Sequence, residues 1–186
     1  MKSKMPLSDS DSMLMTCAKV VQFVLVNNFN TEEKKLIAKM LVEGFRKAHD
    51  KADVGLGMDK FKGHLFWSDA ALATLAEKRT HNERVSIGLR HEHAVPLLFL
   101  VEEILFTLPR NSSLEGIYSE IKEYGKVVII TRDEDKMLKP SKTMPEGWSE
   151  NNKNGVFARY KNDDGSNRFA FSKRCTNELE DYFKST

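Results

Sequence analysis

The segment of the sequence best equipped for chemistry is Arg90-His91-Glu92-His93-Ala94-Val95-Pro96. Its carboxylate, on Glu92, lies between the imidazoles of His91 and His93. These three residues follow positions 85–90, where apolar and polar residues alternate and predict a short, half-buried strand. A carboxylate can hold a divalent cation while a neighbouring imidazole acts as a general base on water. Adjacent residues of a strand point to opposite faces, so Glu92 and His93 can serve one site only if the strand breaks there. Pro96 is expected to supply the break.

A second strand and a short helix follow a long insertion. Residues 126–131 form a β-branched apolar run that predicts a buried strand. Thr131 with Glu134 forms a capping box, which predicts a helix over residues 132–138. We expect the strand at 85–90 to pair antiparallel with the strand at 126–131, and the helix to pack across the pair. Acidic residues in the first turn of that helix are favoured by the helix dipole alone, without any metal.

Taken together, these segments resemble the HNH, or ββα-metal, nuclease family. The first motif of that family is commonly acid-His-x-x-Pro, which residues 92–96 fit, and its second strand and helix are similar to residues 126–139. The resemblance implies a metal-dependent nucleic-acid hydrolase with His93 as the general base and Glu92, Asp135 and His91 as candidate metal ligands. It implies Mg²⁺ or Mn²⁺, because oxygen ligands suit hard cations. Compact members of the family are often phage, mobile-element or defence components.

A second function class remains open beside the nuclease. The helix at 132–138 lacks the Asn and the second metal-binding His that the family usually supplies, and two predicted helices separate the halves of the motif. His91 and His93 are equally explained as a hydrogen-bonded pair at a strand end. The alternative is a non-catalytic protein-interaction module, such as an antagonist, antitoxin or accessory subunit, whose helical front binds a protein partner.

Basic and aromatic residues cluster near the end of the chain. Residues 156–161 and 167–172 alternate between apolar and polar types around Asn162-Asp163-Asp164-Gly165, which predicts a β-hairpin. On such a hairpin, Arg159, Lys161 and Arg168 are candidate contacts to the phosphates of DNA or RNA. A solvated outer face over a buried inner face explains the same alternation.

Composition limits the classes of protein without naming one. The chain has 186 residues, of which 40% are apolar, and its net charge of +2 is too small for a dedicated nucleic-acid coat protein. Cys17 and Cys175 are far apart and lie in no ligand motif, which argues against a zinc knuckle or a disulfide framework. No apolar run is long enough to span a membrane and no signal-peptide core is visible, so we expect a cytoplasmic protein without a membrane partner.

The order of the predicted helices and strands that position these residues indicates an α+β fold in one domain. The front, residues 1–84, is helix-rich, with helices expected over residues 13–26, from Asn30 to about Ala48, and after Ser68. The centre, residues 85–139, is a ββα-like core with a helical insertion. The remainder, residues 140–186, is expected to form a loop, the hairpin and a helix that begins at about Thr176.

Overall fold

The computed structural model describes residues 9–50, 61, 64–81, 88–138, 142–148, 155–175 and 179. The fold is α+β, as predicted, and the N-terminal half is rich in helix. In chain order the elements are α1 (Asp9–Val26), α2 (Thr31–Asp50), β1 (Phe66–Ser68), α3 (Asp69–Thr80), β2 (Leu89–His93), α4 (Leu97–Thr107), α5 (Leu114–Tyr124), β3 (Val127–Thr131), α6 (Arg132–Met137) and β4 (Phe171–Lys173). No helix in these ranges is long and apolar enough to cross a membrane.

The chain divides into two compact units. The helical unit comprises Met1–Lys60 and Leu97–Gly125, and the sheet unit comprises Phe61–Pro96 and Lys126–Thr186. Helices α4 and α5, which form the insertion between β2 and β3, therefore belong to the helical unit. Helix α3 belongs to the sheet unit.

The helical unit contains α1, α2, α4 and α5. Helix α1 packs against α2 and α5, and α2 also packs against α4. Apolar residues at helical spacing, such as Val21 and Val24, are buried on the inner face of α1. A capping box opens α2, because the Glu33 N–H donates to Asn30 Oδ1 at 3.0 Å and the Asn30 N–H donates to Glu33 Oε2 at 2.8 Å.

The sheet has the strand order β2-β3-β1-β4. Strands β2 and β3 are antiparallel, so the predicted pairing is confirmed. Strand β1 pairs parallel with β3 on one side and antiparallel with β4 on the other. Strand β2 runs from Leu89 through His93, so the expectation that it breaks at Glu92 is wrong. The first residues of the predicted strand, 85–87, lie outside the described residues.

The two faces of the sheet are covered by different helices. One face, which we call the α3 face, carries Leu89, His91, His93, Trp67 and Ile129. Its apolar members form the core with buried residues of α3. The opposite face, which we call the α6 face, carries Arg90, Glu92, Val128, Ile130 and Phe66. Helix α6 packs against β2 and β3 on this second face.

The C-terminal segment differs from the predicted hairpin. The turn forms, since the Gly165 N–H donates to the Asn162 carbonyl and Lys161 bridges Asn167. The flanking segments are not paired strands: Ala158–Tyr160 is a short 3₁₀ helix, and β4 pairs with β1 instead. The predicted C-terminal helix lies outside the described residues except for Leu179, which is helical.

Candidate functional site

Strand β2 carries the side chains with predicted chemistry and divides them between the two faces of the sheet. The register with β3 places Glu92 on the α6 face and both His91 and His93 on the α3 face. Because the strand continues through His93, the carboxylate and the imidazoles do not meet. Glu92 and His93 therefore belong to two separate candidate sites, and His91 is not a ligand beside Glu92.

Glu92 forms an ion pair with Arg159. The Arg159 Nη1 group donates to Glu92 Oε1 at 2.8 Å and to the His93 carbonyl at 3.1 Å. The Arg159 side chain is 1% exposed and that of Glu92 is 24% exposed. A guanidinium group this deeply buried requires a charged partner. The prediction that Arg159 contacts phosphates at the surface is therefore wrong, because its head group is enclosed by the protein.

The surroundings of Glu92 shift the pKa of its carboxyl group in opposing directions. Burial raises the pKa of Glu92, the hydrogen bond and charge of Arg159 oppose the rise, and the negative charge of Asp135 adds to it. Asp135 belongs to the same face, because its Oδ2 lies 3.8 Å from Nε of Arg90, and Arg90 and Glu92 share that face of β2.

Arg90 and Asp135 form the second charged pair of this face. Arg90 Nε lies 3.8 Å from Asp135 Oδ2, and the two side chains are 49% and 38% exposed. This separation is longer than a hydrogen bond, so the guanidinium group keeps donors that can bind another anion. Within the described ranges, no three His, Cys, Asp or Glu side chains have the spacing of a complete set of metal ligands.

The hydroxyl group of Tyr160 lies within the electrostatic reach of the same charges. Tyr160 is fully buried, and its hydroxyl makes no hydrogen bond to any residue that the structure describes. Burial raises the pKa of Tyr160 well above its usual value, and the negative charge of Glu92 contributes to the rise. The group is therefore a neutral donor held in an apolar setting near a carboxylate.

The other two acids of α6 have structural roles. Asp133 pairs with Lys136 of the same helix at 2.6 Å. The buried Glu134 closes the predicted capping box with Thr131, and its Oε2 also accepts a hydrogen bond from Ser68 Oγ at 2.6 Å. Of the three consecutive acids, Asp135 alone faces β2 as a candidate ligand.

Three histidines lie together on the α3 face. His91 Nε2 is 2.6 Å from Nε2 of His64, and the centroids of these two rings are 4.3 Å apart. The ring of His93 is 5.3 Å from that of His91, centroid to centroid. His64 is buried and comes from the segment before β1.

The remaining predicted phosphate contacts differ in exposure. Lys161 is exposed on the turn after the 3₁₀ helix. Arg168 is half-buried, and its Nε–H donates to the Arg159 carbonyl at 3.1 Å while its backbone N–H donates to the Tyr160 carbonyl at 2.8 Å. Arg168 therefore helps to fix the segment that carries Arg159, and Lys161 keeps its charge in solvent.

Sequence reasoning missed His64, Arg90 and Tyr160. Arg90 had a detectable signal, because it is two residues from Glu92 and strand periodicity places both on one face. His64 and Tyr160 are brought to β2 by contacts distant in sequence, for which local patterns contain no signal. The chain matches no protein-family model, no curated protein and no solved structure.

Proposed function

We propose that the sheet unit hydrolyses phosphodiester bonds of a nucleic acid at the α6 face of β2, with Mg²⁺ or Mn²⁺ as the cofactor. One observation carries the proposal: Asp135 and Glu92 lie on the same face of the sheet, since Arg90, which shares the face of Glu92 on β2, is 3.8 Å from Asp135. Mg²⁺ is commonly bound by one or two carboxylates and completes its shell with water and substrate phosphate. Two carboxylates therefore fit this cation.

Each neighbouring group has a task in this arrangement. When bound, the cation supplies charge that polarises the phosphate and lowers the pKa of coordinated water. Arg159 holds the Glu92 carboxylate in place through its hydrogen bond of 2.8 Å. Arg90, half-exposed beside Asp135, binds a phosphate oxygen of the substrate.

The proposal is tested with plasmid DNA and RNA, each incubated with the full chain in Mg²⁺, in Mn²⁺ or in EDTA. We expect cleavage that requires the cation, and loss of at least about 100-fold in rate for Glu92→Gln and for Asp135→Asn, because each removes a charged ligand. Asp133→Asn is the matched control, since Asp133 is an exposed acid of the same helix that pairs with Lys136. It is expected to retain activity.

His93→Ala separates this geometry from the one that the HNH resemblance implies. Because His93 lies on the α3 face, we expect this variant to retain most of the activity. Loss of activity in a folded His93→Ala protein would restore His93 as the general base. Absence of cation-dependent cleavage in the parent protein, or equal activity in Glu92→Gln, would overturn the proposal.

A second function is favoured by an observation in the helical unit. Val20, Phe23 and Val26 recur at spacings of three residues on α1 and are 39%, 58% and 61% exposed. Contiguous apolar surface of this kind commonly marks a protein-interaction site. A non-catalytic interaction module would use this face of α1 to bind a protein partner.

The two functions predict different effects of substitutions on the exposed face of α1. If the protein is an interaction module, Phe23→Ser is expected to abolish binding to a partner purified with the native protein, and Lys19→Ser on the same helix serves as the control. If the protein is a hydrolase alone, Phe23→Ser leaves cleavage unchanged and no partner is lost.

A further inference from the structure

Four phenylalanine side chains at the β1–β4 side of the sheet keep part of their surface in solvent, and the proposed hydrolase has not used them. Phe66, Phe157, Phe169 and Phe171 are each half-buried. Their ring centroids are 5.0 Å apart for Phe66 and Phe157, 5.2 Å for Phe157 and Phe171, and 6.1 Å for Phe169 and Phe171. We call these four rings the aromatic patch. The patch is separate from the apolar core around α3, which lies on the opposite face of the sheet.

The register of the sheet places the aromatic patch in line with Glu92. Glu92 is opposite Val128 on β3, and Val128 is opposite Phe66 on β1. Phe66 is in turn opposite Lys173 on the edge strand β4. These four residues therefore form one row across the α6 face. Because strands are about 4.8 Å apart, the row places Phe66 about 10 Å and Lys173 about 14 Å from Glu92 along the sheet.

The groups in this row suit an unpaired nucleic-acid strand. An accessible aromatic ring offers a face on which a base can stack, and a nearby lysine attracts the phosphates of the same strand. Lys173 is exposed at the sheet edge, and the ring of Phe157 extends the aromatic surface of Phe66. In a duplex each base is stacked on its neighbours, so its faces are covered. Only a single strand can use both the rings and the lysine.

We propose that the aromatic patch and Lys173 bind single-stranded DNA and lead it to Glu92. This inference rests on the proposed function, because it names the substrate of that site. The phenylalanine rings carry no hydrogen-bonding group, so a ribose 2′-hydroxyl placed against them loses its bonds to water without replacement. Proteins that prefer RNA contact that hydroxyl. The patch therefore favours deoxyribose over ribose.

The proposal is tested by fluorescence anisotropy of a labelled oligonucleotide with the full chain in EDTA, where cation-dependent cleavage does not interfere. The same sequence is presented as single-stranded DNA, as RNA and as duplex DNA. We expect single-stranded DNA to bind most tightly, and the duplex to bind at least about fivefold more weakly, since it gains no stacking on the rings.

Phe157→Leu removes one ring of the patch and keeps an apolar side chain in its place. We expect it to weaken the binding of single-stranded DNA by about 5- to 100-fold, the effect of losing one stacked base. Phe23→Leu is the matched control, because it removes an exposed ring from the helical unit, and it is expected to leave the affinity unchanged.

Lys173→Met tests the phosphate contact separately from stacking. For a single strand, each neutralised phosphate contributes about 0.7 to the slope of log affinity against log salt concentration. We expect Lys173→Met to reduce that slope by about 0.7. Lys39→Met, which removes an exposed charge from α2, is expected to leave the slope unchanged.

A measurement on the parent protein decides the matter even if Phe157→Leu does not fold. Ultraviolet irradiation of single-stranded DNA that contains 5-bromouracil is expected to crosslink peptides of the aromatic patch. Crosslinks confined to the helical unit, tighter binding of RNA or duplex than of single-stranded DNA, or unchanged affinity in folded Phe157→Leu would overturn the inference. If the single strand binds as expected but is never cleaved in Mg²⁺ or Mn²⁺, the hydrolase is wrong and the binding surface stands.

Discussion

At the scale of single residues, the ion pair between Arg159 and Glu92 holds the carboxylate of β2 in place. It joins the only fully buried guanidinium group among the described residues to a carboxylate that is also largely buried. Taking two charges from water is costly, and breaking such a pair leaves one charge without compensation. The pair therefore constrains both the stability of the fold and the position of the Glu92 carboxylate.

Arg159→Met is expected to lower the free energy of unfolding by about 3–5 kcal/mol at neutral pH, because it leaves the Glu92 carboxylate partly buried without its partner. Urea denaturation of the variant and the parent measures the difference. Lys161→Met is the control, since Lys161 is exposed two residues away, and it is expected to change stability by less than about 0.5 kcal/mol. Equal stability of Arg159→Met and the parent would contradict this account of the pair.

The same substitution has a predictable pH dependence. Burial raises the pKa of Glu92 in the folded protein above its unfolded value, and Arg159 opposes this rise. A carboxyl group with a raised pKa binds its proton more tightly in the native state, so the free energy of unfolding falls as pH increases through the raised pKa. Without Arg159 the rise is larger. The deficit of Arg159→Met is therefore expected to shrink when denaturation is measured near pH 4 instead of pH 7.

At the scale of elements, one carboxylate connects the beginnings of two helices. Glu134 Oε2 accepts hydrogen bonds from the Thr131 N–H at 2.8 Å and from Ser68 Oγ at 2.6 Å. Thr131 is the N-cap of α6, and Ser68 Oγ in turn accepts from the Ala71 N–H at 3.0 Å at the start of α3. Glu134 thus fixes α6 and α3 to the ends of β3 and β1.

Glu134→Ala is expected to destabilise the protein by about 2–3 kcal/mol, because it removes half of a capping box and leaves the buried Ser68 hydroxyl without its acceptor. Glu134→Gln is expected to cost less, since its amide oxygen still accepts. Thermal or urea unfolding gives both values. The matched control is Asp133→Ala on the same turn, whose exposed carboxylate pairs with Lys136 and is expected to matter little. A cost for Asp133→Ala as large as that for Glu134→Ala would show that the network has no special role.

Local patterns predicted the elements whose signal lies within a few residues. The apolar run at 126–131 and the capping box of Thr131 predicted β3 and α6 to within one residue of their bounds. The acids of the first turn of α6 have their expected positions at the helix N-terminus. The N-cap of α5 is Ser113, whose hydroxyl accepts from the Gly116 N–H.

Features that depend on distant contacts could not be predicted. Strand β1 has three residues, too few for a periodic signal, and its parallel partner β3 follows a long connection. The end of β2 was misplaced because residues 91–93 are all polar, and only their pairing with β3 extends the strand through His93. Arg159 was predicted to be exposed because its segment alternates like a strand, whereas it forms a 3₁₀ helix that turns the side chain inward.

At the scale of the whole molecule, the two units can be observed separately. Both tryptophans of the chain, Trp67 and Trp148, belong to the sheet unit. The two longest helices, α1 and α2, belong to the helical unit. Tryptophan emission therefore reports on the sheet unit, and far-ultraviolet circular dichroism reports mainly on the helical unit.

Urea is expected to unfold the two units in separate transitions, one followed by tryptophan emission and one seen only by circular dichroism. Val21→Asp places a charge in the core of the helical unit, where Val21 is fully buried, and should lower the stability of that unit by more than about 3 kcal/mol. The tryptophan transition should not move. Lys19→Ser on the exposed side of α1 is the control, and coincident transitions in all three proteins would contradict the division.

The position of β3 in the sheet also determines when the sheet can form in the cell. Both β1 and β2 are hydrogen-bonded to β3, yet β3 is the last of the three to leave the ribosome. At a synthesis rate of about 5–20 residues per second, β1 waits several seconds for its neighbour. Helices α1 and α2 precede β1, and α4 and α5 are made during that interval, so the helical unit is complete before the first long-range strand pair exists. Chains stalled when residues up to 126 have just emerged from the ribosome should therefore contain a finished helical unit joined to exposed, unpaired strands, the state that offers a chaperone most apolar surface to bind.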